Sequence, residues 1–156
     1  MFQHQGIWLP DGEKHFPDWM DRNGEVVDGR GTYQLKKWRA CLPWIKSWRT
    51  AVDVGAHVGF WSTEMGKRFE FVHAFEPMSQ FRECWMKNAR GAVLYPYALG
   101  AQPGKVRMNH NPADSGNTHV GGDDGDVEMI TLDSFGGSPT YPFYDVDFIK
   151  IDCEGY

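Results

Sequence analysis

The apolar residues of this chain change period several times, and each change marks an element. Ala51, Val52 and Val54 make a short apolar run, Gly55 and Gly59 bracket a tight turn, and Phe60, Trp61 and Met65 resume at helical spacing. This predicts strand, glycine turn, helix, the helix running to about Phe69. Phe71, Val72, Ala74 and Phe75 predict a second strand that ends at Glu76-Pro77. A helix over Ser79 to Arg90 follows, with Phe81, Cys84, Trp85 and Ala89 on one stripe and Gly91 as its stop. Ala92 to Tyr95 predicts a third strand. The alternation implies right-handed parallel crossovers, so the expected class is α/β, a mostly parallel Rossmann-like sheet with flanking helices.

Before this core, Met1 to Gly31 is rich in turn signals: Pro10-Asp11-Gly12, Pro17 and Asn23-Gly24. It is expected to form a cap or short hairpin over the sheet edge, docked by Trp8, Phe16, Trp19 and Met20, with residues 32–156 as the ligand-binding domain. Leu35, Trp38, Leu42 and Ile45 trace a helical face from about Thr32 to Lys46, which Pro43 should kink. Beyond Gly100, Lys105 to His110 alternates like a strand. Asn111 to Gly125 is polar and glycine-rich and predicts a long loop, within which Ser115 to His119 is a candidate lid. Val127 to Leu132 predicts a short strand, Gly136 to Pro142 a break, and Val146 to Asp152 a buried strand.

Composition narrows the function. At 156 residues the chain suffices for one domain, and its net charge of −5 supplies no basic stripe for a nucleic-acid backbone. Aromatic residues make up 15%, enough to fill a core and line a pocket. Cys41, Cys84 and Cys153 are odd in number and far apart, which argues against a disulfide framework and for the cytoplasm. No apolar run is long enough to span a membrane. Asp123, Asp124, Asp126 and Glu128 lack the periodicity of a calcium loop and read as a solvated acidic turn, and no Cys-His metal pattern is present.

The glycine turn carries the first chemical signal. In an open parallel sheet such a turn lies at the carboxyl ends of the strands, where backbone can approach a ligand and a helix N-terminus offers N–H groups. A dinucleotide fingerprint would read G-x-G-x-x-G, but Asp53 and Val58 occupy its first and third glycine positions. An Asp there repels a pyrophosphate and suits an ammonium or sulfonium group, and S-adenosyl-L-methionine carries both. Glu76, about 20 residues after the turn, is placed to accept hydrogen bonds from ribose hydroxyls; its other reading is an acid at a helix N-terminus.

The ordered set Asp53-Val54-Gly55-Ala56-His57-Val58-Gly59, Phe75-Glu76-Pro77, Ala98-Leu99-Gly100, Thr131-Leu132-Asp133 and Phe148-Ile149-Lys150-Ile151-Asp152-Cys153-Glu154-Gly155 resembles the FkbM family of S-adenosylmethionine-dependent methyltransferases. The resemblance implies a class I methyltransferase fold and O-methylation of a hydroxyl on a sugar, glycolipid or other small molecule. By motif it implies Asp53, Gly55, Ala56, His57 and Gly59 around the methionine part of the cofactor, Glu76 at the ribose, and Ala98 with Leu99 at the adenine. Tyr33, Phe60, Pro77 and Asp152 are counted with the same cofactor-binding set. Asp152 and Glu154 would border methyl transfer, and candidate bases are His57, His119, Asp152 and Glu154. In the family the chain runs on past Glu-Gly, so the domain is expected to be C-terminally incomplete, with an open edge strand at Val146 to Asp152 that favours self-association. Two other readings stay open: a non-catalytic adenosine-ligand or partner-binding fragment, and a nicotinamide oxidoreductase.

Overall fold

The structure, a computed structural model, describes residues 1–136 and 145–154; the expected break at Gly136 to Pro142 lies mostly outside them, as does Gly155. The chain opens with a hairpin, β1 (Phe2–His4) against β2 (Ile7–Leu9), turned by Gln5 and Gly6, both at positive φ. Helix α1 (His15–Asn23) follows, then a second hairpin, β3 (Val26–Val27) against β4 (Arg30–Gly31), turned by Asp28 and Gly29, again both at positive φ. Paired positive φ values are what a two-residue hairpin of the primed turn type requires. Helix α2 (Leu35–Cys41) passes into a 3₁₀ turn (Leu42–Trp44) at Pro43, which offers no N–H to continue the α ladder.

The central sheet is parallel and has four strands: β5 (Thr50–Val54), β6 (Phe71–Phe75), β7 (Val93–Tyr95) and, from the far end of the chain, β11 (Val146–Ile151), in the order β11-β5-β6-β7. Helix α3 (Phe60–Met65) links β5 to β6 and helix α4 (Ser79–Asn88) links β6 to β7. The α3 helix is shorter than its apolar spacing predicts. Phe69 is buried, but from the loop beyond the helix. Strand β5 is buried throughout and feeds both layers: Ala51 packs with Trp38, Met65, Phe69 and Val72, whereas Val52 and Val54 pack with Phe75, Tyr95 and Phe135 on the other face. Each such aliphatic or aromatic side chain contributes about 1.5–3 kcal/mol on burial, so the centre of the sheet is the firmest part of the molecule.

The segment expected as a polar loop, Asn111 to Gly125, is strand over its second half. After β8 (Ala98–Leu99) and β9 (Gly104–Asn109), a 3₁₀ turn (Ser115–Asn117) leads into β10 (His119–Ile130), a long strand antiparallel to β9 and parallel to β8. The expected strand at Val127 to Leu132 is only the end of β10, and Leu132 already opens α5 (Leu132–Gly136). The ribbon hides its strand character because one side is solvated and its register shifts twice, between Val120 and Gly122 and again before Val127. Gly125 sits in the second irregularity, where an added Cβ would lie 2.3 Å from the amide nitrogen of Arg107.

Strand β11 is not the buried strand its apolar residues predict; it lies at the edge of the described sheet, as the expectation of an open edge at Val146 to Asp152 had it. Among the described residues it pairs only with β5, and Ile149 and Ile151 are 43% and 71% exposed. Phe148 turns inward, against Trp38, Trp61 and Phe69, and so does Lys150, whose side chain is 9% exposed. The N-terminal segment lies over α4 and the glycine turn: Ile7, Leu9, Phe16 and Met20 cluster with Val58 and Cys84. Asn88 clamps it there, donating to the carbonyls of Trp8 and Val58 and accepting from the Trp8 N–H, each at 2.8 Å. No helix among the described residues is long and apolar enough to cross a membrane.

Candidate functional site

From β5 the chain builds outward through β6 and β7 on one side and returns as the parallel β11 on the other, so the strand order reverses between β5 and β11, and in open α/β sheets ligands bind in the crevice at the carboxyl ends of the strands at such a point. A cavity opens there. Its floor is Val54, Gly55, Ala56 and His57, one wall is Glu76 and Pro77 at the end of β6, and a second is Tyr97, Ala98 and Leu99 after β7. Lys150, Asp152, Cys153 and Glu154 close the side toward β11, while Phe16, Tyr33, Phe60 and Trp61 form an aromatic side from the N-terminal elements and α3. Met108, Ser115, Gly116, Thr118 and Val120 bring the β9–β10 ribbon over the top.

The turn after β5 is built for close packing. Gly55 has φ +71, and a Cβ on it would lie 2.2 Å from the carbonyl oxygen of Asp152, so a side chain is excluded by both conformation and space. The amides of Gly55 and Ala56 donate to the Phe75 carbonyl at 3.1 and 2.9 Å, and the amide of His57 donates to Glu76 Oε2 at 2.8 Å. These three N–H groups are therefore spent inside the protein. Glu76 is buried, and its Oε1 accepts from the amide of Met78 at 2.8 Å. Burial pushes its carboxyl up to about 7, against the opposing pull of those two amides and of Lys150 and Arg82. Each oxygen retains a further lone pair, so the group can still accept from a ligand. The Met78 amide that Glu76 holds lies just ahead of α4, whose first turn itself carries no acid.

Two residues of the expected set lie elsewhere. Asp53 is fully buried beneath the turn and does not line the cavity; its Oδ2 accepts from Ser62 Oγ at 2.6 Å and its Oδ1 lies 3.1 Å from Lys150 Nζ. Ser62 in turn accepts from Trp85 Nε1 at 2.9 Å. The Lys150 ammonium also donates to the carbonyl of Gly55 at 2.7 Å, so the negative charge of Asp53 is answered within the fold. Gly59 lies behind the turn at the start of α3, against Trp85 and Ala89. The remaining members, Tyr33, Gly55, Ala56, His57, Phe60, Glu76, Pro77, Ala98, Leu99 and Asp152, all line the one cavity, as does Glu154. His119 does not: it is exposed on β10 with its Nδ1 against the Asn117 carbonyl. Asp123, Asp124, Asp126 and Glu128 also face solvent on β10, with Asp124 paired to Arg107.

His57 is the most constrained side chain of the site. Its backbone has φ +49, its ring packs 4.2 Å from Phe81 and 5.0 Å from Phe16 between centroids, and its Nε2 lies 2.9 Å from Ser115 Oγ. Burial, helped by the charge of Lys150, drives its pKa down to about 3, so the ring is neutral near pH 7. A group that basic only below pH 3 is a poor proton acceptor for an alcohol. Burial has the opposite effect on Tyr33, pushing its phenol above the usual value, and its ring packs edge-on to Phe16 and Trp19. Sequence reasoning missed Glu13, Lys150 and the ribbon residues Met108 and Val120, whereas Ser115, Gly116 and Thr118 belong to the candidate lid and do line the cavity. Lys150 stands in the quoted Ile-Lys-Ile-Asp string, a signal that was in view; Glu13 had none beyond its turn.

A parallel sheet with a glycine turn, a buried acid one strand on and two acids at the β11 end defines a ligand-binding α/β protein of the Rossmann-like kind. Residues 53–156 match the family model for the methyltransferase FkbM domain, and the chain belongs to that family; it is a methyltransferase with an α/β Rossmann-like fold. No curated protein and no solved structure matches the chain.

Proposed function

We propose that the methyl donor is S-adenosyl-L-methionine and that the acceptor is a hydroxyl of a sugar, glycolipid or other small molecule. The observation that carries the donor is the buried Glu76 carboxylate, with spare lone pairs, facing the same cavity as the close-approach turn at Gly55. The chemistry of these residues fits the group: a carboxylate that, when ionised, accepts from ribose hydroxyls, and apolar Ala98 and Leu99 for the adenine. When bound, the cofactor supplies a methyl group on a positively charged sulfur.

Within this reading Glu76 holds the ribose and the aromatic side, Phe16, Tyr33 and Phe60, excludes water. Asp152 and Glu154 are exposed at the cavity margin and place negative charge where a cationic ligand and a polyhydroxylated acceptor would meet. One of these carboxylates would take the proton of the acceptor hydroxyl as its oxygen gains the methyl group and the bond from that methyl to sulfur breaks. Residues 1–31 act as a cap on the domain of residues 32–156. The free thiols of Cys41, Cys84 and Cys153 support the cytoplasm as its compartment, and the exposed Ile149 and Ile151 on β11 support self-association.

Calorimetric titration with S-adenosylhomocysteine, with NADH as control, tests the donor. Saturable binding of the first alone is expected. Binding of neither, or of NADH, refutes the reading. Transfer of a labelled methyl group to members of a sugar and glycolipid panel then tests the acceptor, and tight binding without any transfer would favour a non-catalytic binding role.

A further inference from the structure

A buried polar chain enters the cavity from the opposite end of the sequence. Glu13 lies between β2 and α1 and is 3% exposed. Its Oε1 accepts from the Phe16 amide at 3.0 Å, and its Oε2 accepts from the Ser115 amide at 2.7 Å and contacts the Ser115 hydroxyl. Both carboxylate oxygens are thus already taken up as acceptors from N–H groups, and the Ser115 proton is directed at Glu13. With its proton committed, Ser115 Oγ offers His57 only lone pairs. The 2.9 Å contact with His57 Nε2 then requires the proton to sit on Nε2. That leaves Nδ1 unprotonated, and it is buried with no partner among the described residues.

We propose that Glu13, acting through Ser115, fixes His57 in its Nε2–H tautomer and so presents Nδ1 to the bound cofactor as a hydrogen-bond acceptor. This inference rests on the S-adenosylmethionine reading above. It also goes beyond the matched family domain, because Glu13 lies outside residues 53–156. The ring cannot relax to satisfy Nδ1 cheaply: Phe16 and Phe81 flank it, and its backbone amide is held by Glu76 at 2.8 Å. An unpaired buried acceptor is unfavourable, and an O–H or N–H of the cofactor removes that cost on binding. Glu13 is a positioning residue; it touches neither cofactor nor acceptor in this scheme.

Long-range ¹H–¹⁵N correlation spectra of histidine-labelled chain, with His57 assigned by a His57→Asn variant, read the tautomer without any ligand. The expected result is a protonated Nε2 and an unprotonated Nδ1 in the wild type, with loss of the single tautomer in Ser115→Ala and in Glu13→Gln. Ser115→Thr, which keeps the hydroxyl, should restore it. Addition of S-adenosylhomocysteine should move the Nδ1 resonance, and its affinity should fall about fivefold to tenfold in Ser115→Ala, as for one hydrogen bond. A wild-type Nδ1–H tautomer, or an unaltered tautomer in Ser115→Ala, overturns the proposal. So does an unaltered affinity in Ser115→Ala. If Glu13→Gln does not fold, Ser115→Ala and the wild-type spectrum still decide. Failure of the wild type to bind S-adenosylhomocysteine removes the donor reading and the role of Nδ1 with it, whereas the tautomer is judged separately on the free chain.

Discussion

Glu76 is held in a place that penalises its own charge, and this makes the pH dependence of stability a direct probe of the site. Its pKa rises from 4.5 to about 7 on folding, so between those values the folded protein binds a proton that the unfolded chain does not. The resulting stabilisation is fully present below 4.5 and is lost as pH rises through about 7. Integrated between pH 5 and pH 8, the loss is about 2.5 kcal/mol, equivalent to roughly 5–10 °C in melting temperature for a domain of this size. His57 and His73, both lowered by burial, act with the opposite sign: their stabilisation is present above 6.5 and is lost as pH falls. The raw wild-type profile therefore mixes the two. Subtracting the profile of Glu76→Gln, which cannot titrate, isolates the carboxyl, and calorimetric melts across pH 5 to 8 should show the wild type losing its advantage by about 2.5 kcal/mol. Curves parallel to within about 0.5 kcal/mol would refute the burial argument. The same carboxylate should govern the ligand: S-adenosylhomocysteine should bind about tenfold more tightly at pH 8 than at pH 6. Glu76→Ala should weaken binding by about 1.5–3 kcal/mol, and unchanged affinity would remove Glu76 from the site.

Three further outcomes are expected. Gly55→Ala should lose at least about 2 kcal/mol of stability in denaturant unfolding, since the φ of +71 and the 2.2 Å approach to the Asp152 carbonyl both oppose a side chain; a loss under about 0.5 kcal/mol would contradict the close contact. Asp53→Asn should cost about 3 kcal/mol by leaving the Lys150 ammonium without its buried counter-charge, and Lys150→Met in the same chain should recover much of it; additive losses in that double-mutant cycle would show that the pair is not coupled. Asp152→Asn and Glu154→Gln, at exposed positions, should leave melting temperature within about 2 °C while lowering the rate of methyl transfer from S-adenosylmethionine for at least one of them; full activity in both would remove the carboxylates from proton transfer.

Local rules alone determined much of this molecule. The β-branched run at Ala51 to Val54, the glycine turn and the helical spacing after it are consequences of short-range sterics and of apolar period, and they specify strand, turn and helix wherever that sequence folds. The parallel order of β5, β6 and β7 followed from crossover handedness, and Glu76 was legible because a strand end fixes where its side chain emerges. Only the end of β10, from Val127, was legible; the rest was not, because a ribbon solvated on one side and interrupted by glycines has no apolar period to read, and its pairing with β9 decides it. Tertiary structure alone decided the fate of Asp53. From sequence its charge is available to a cationic ligand, but Lys150, brought alongside by the pairing of β11 with β5, answers that charge inside the protein. It alone also joined Glu13 to Ser115 and His57, residues that no local spacing connects. Sequence fixes what each short segment prefers, whereas the identity of a buried group's partner is a long-range fact, set by which strands and loops the fold lays side by side.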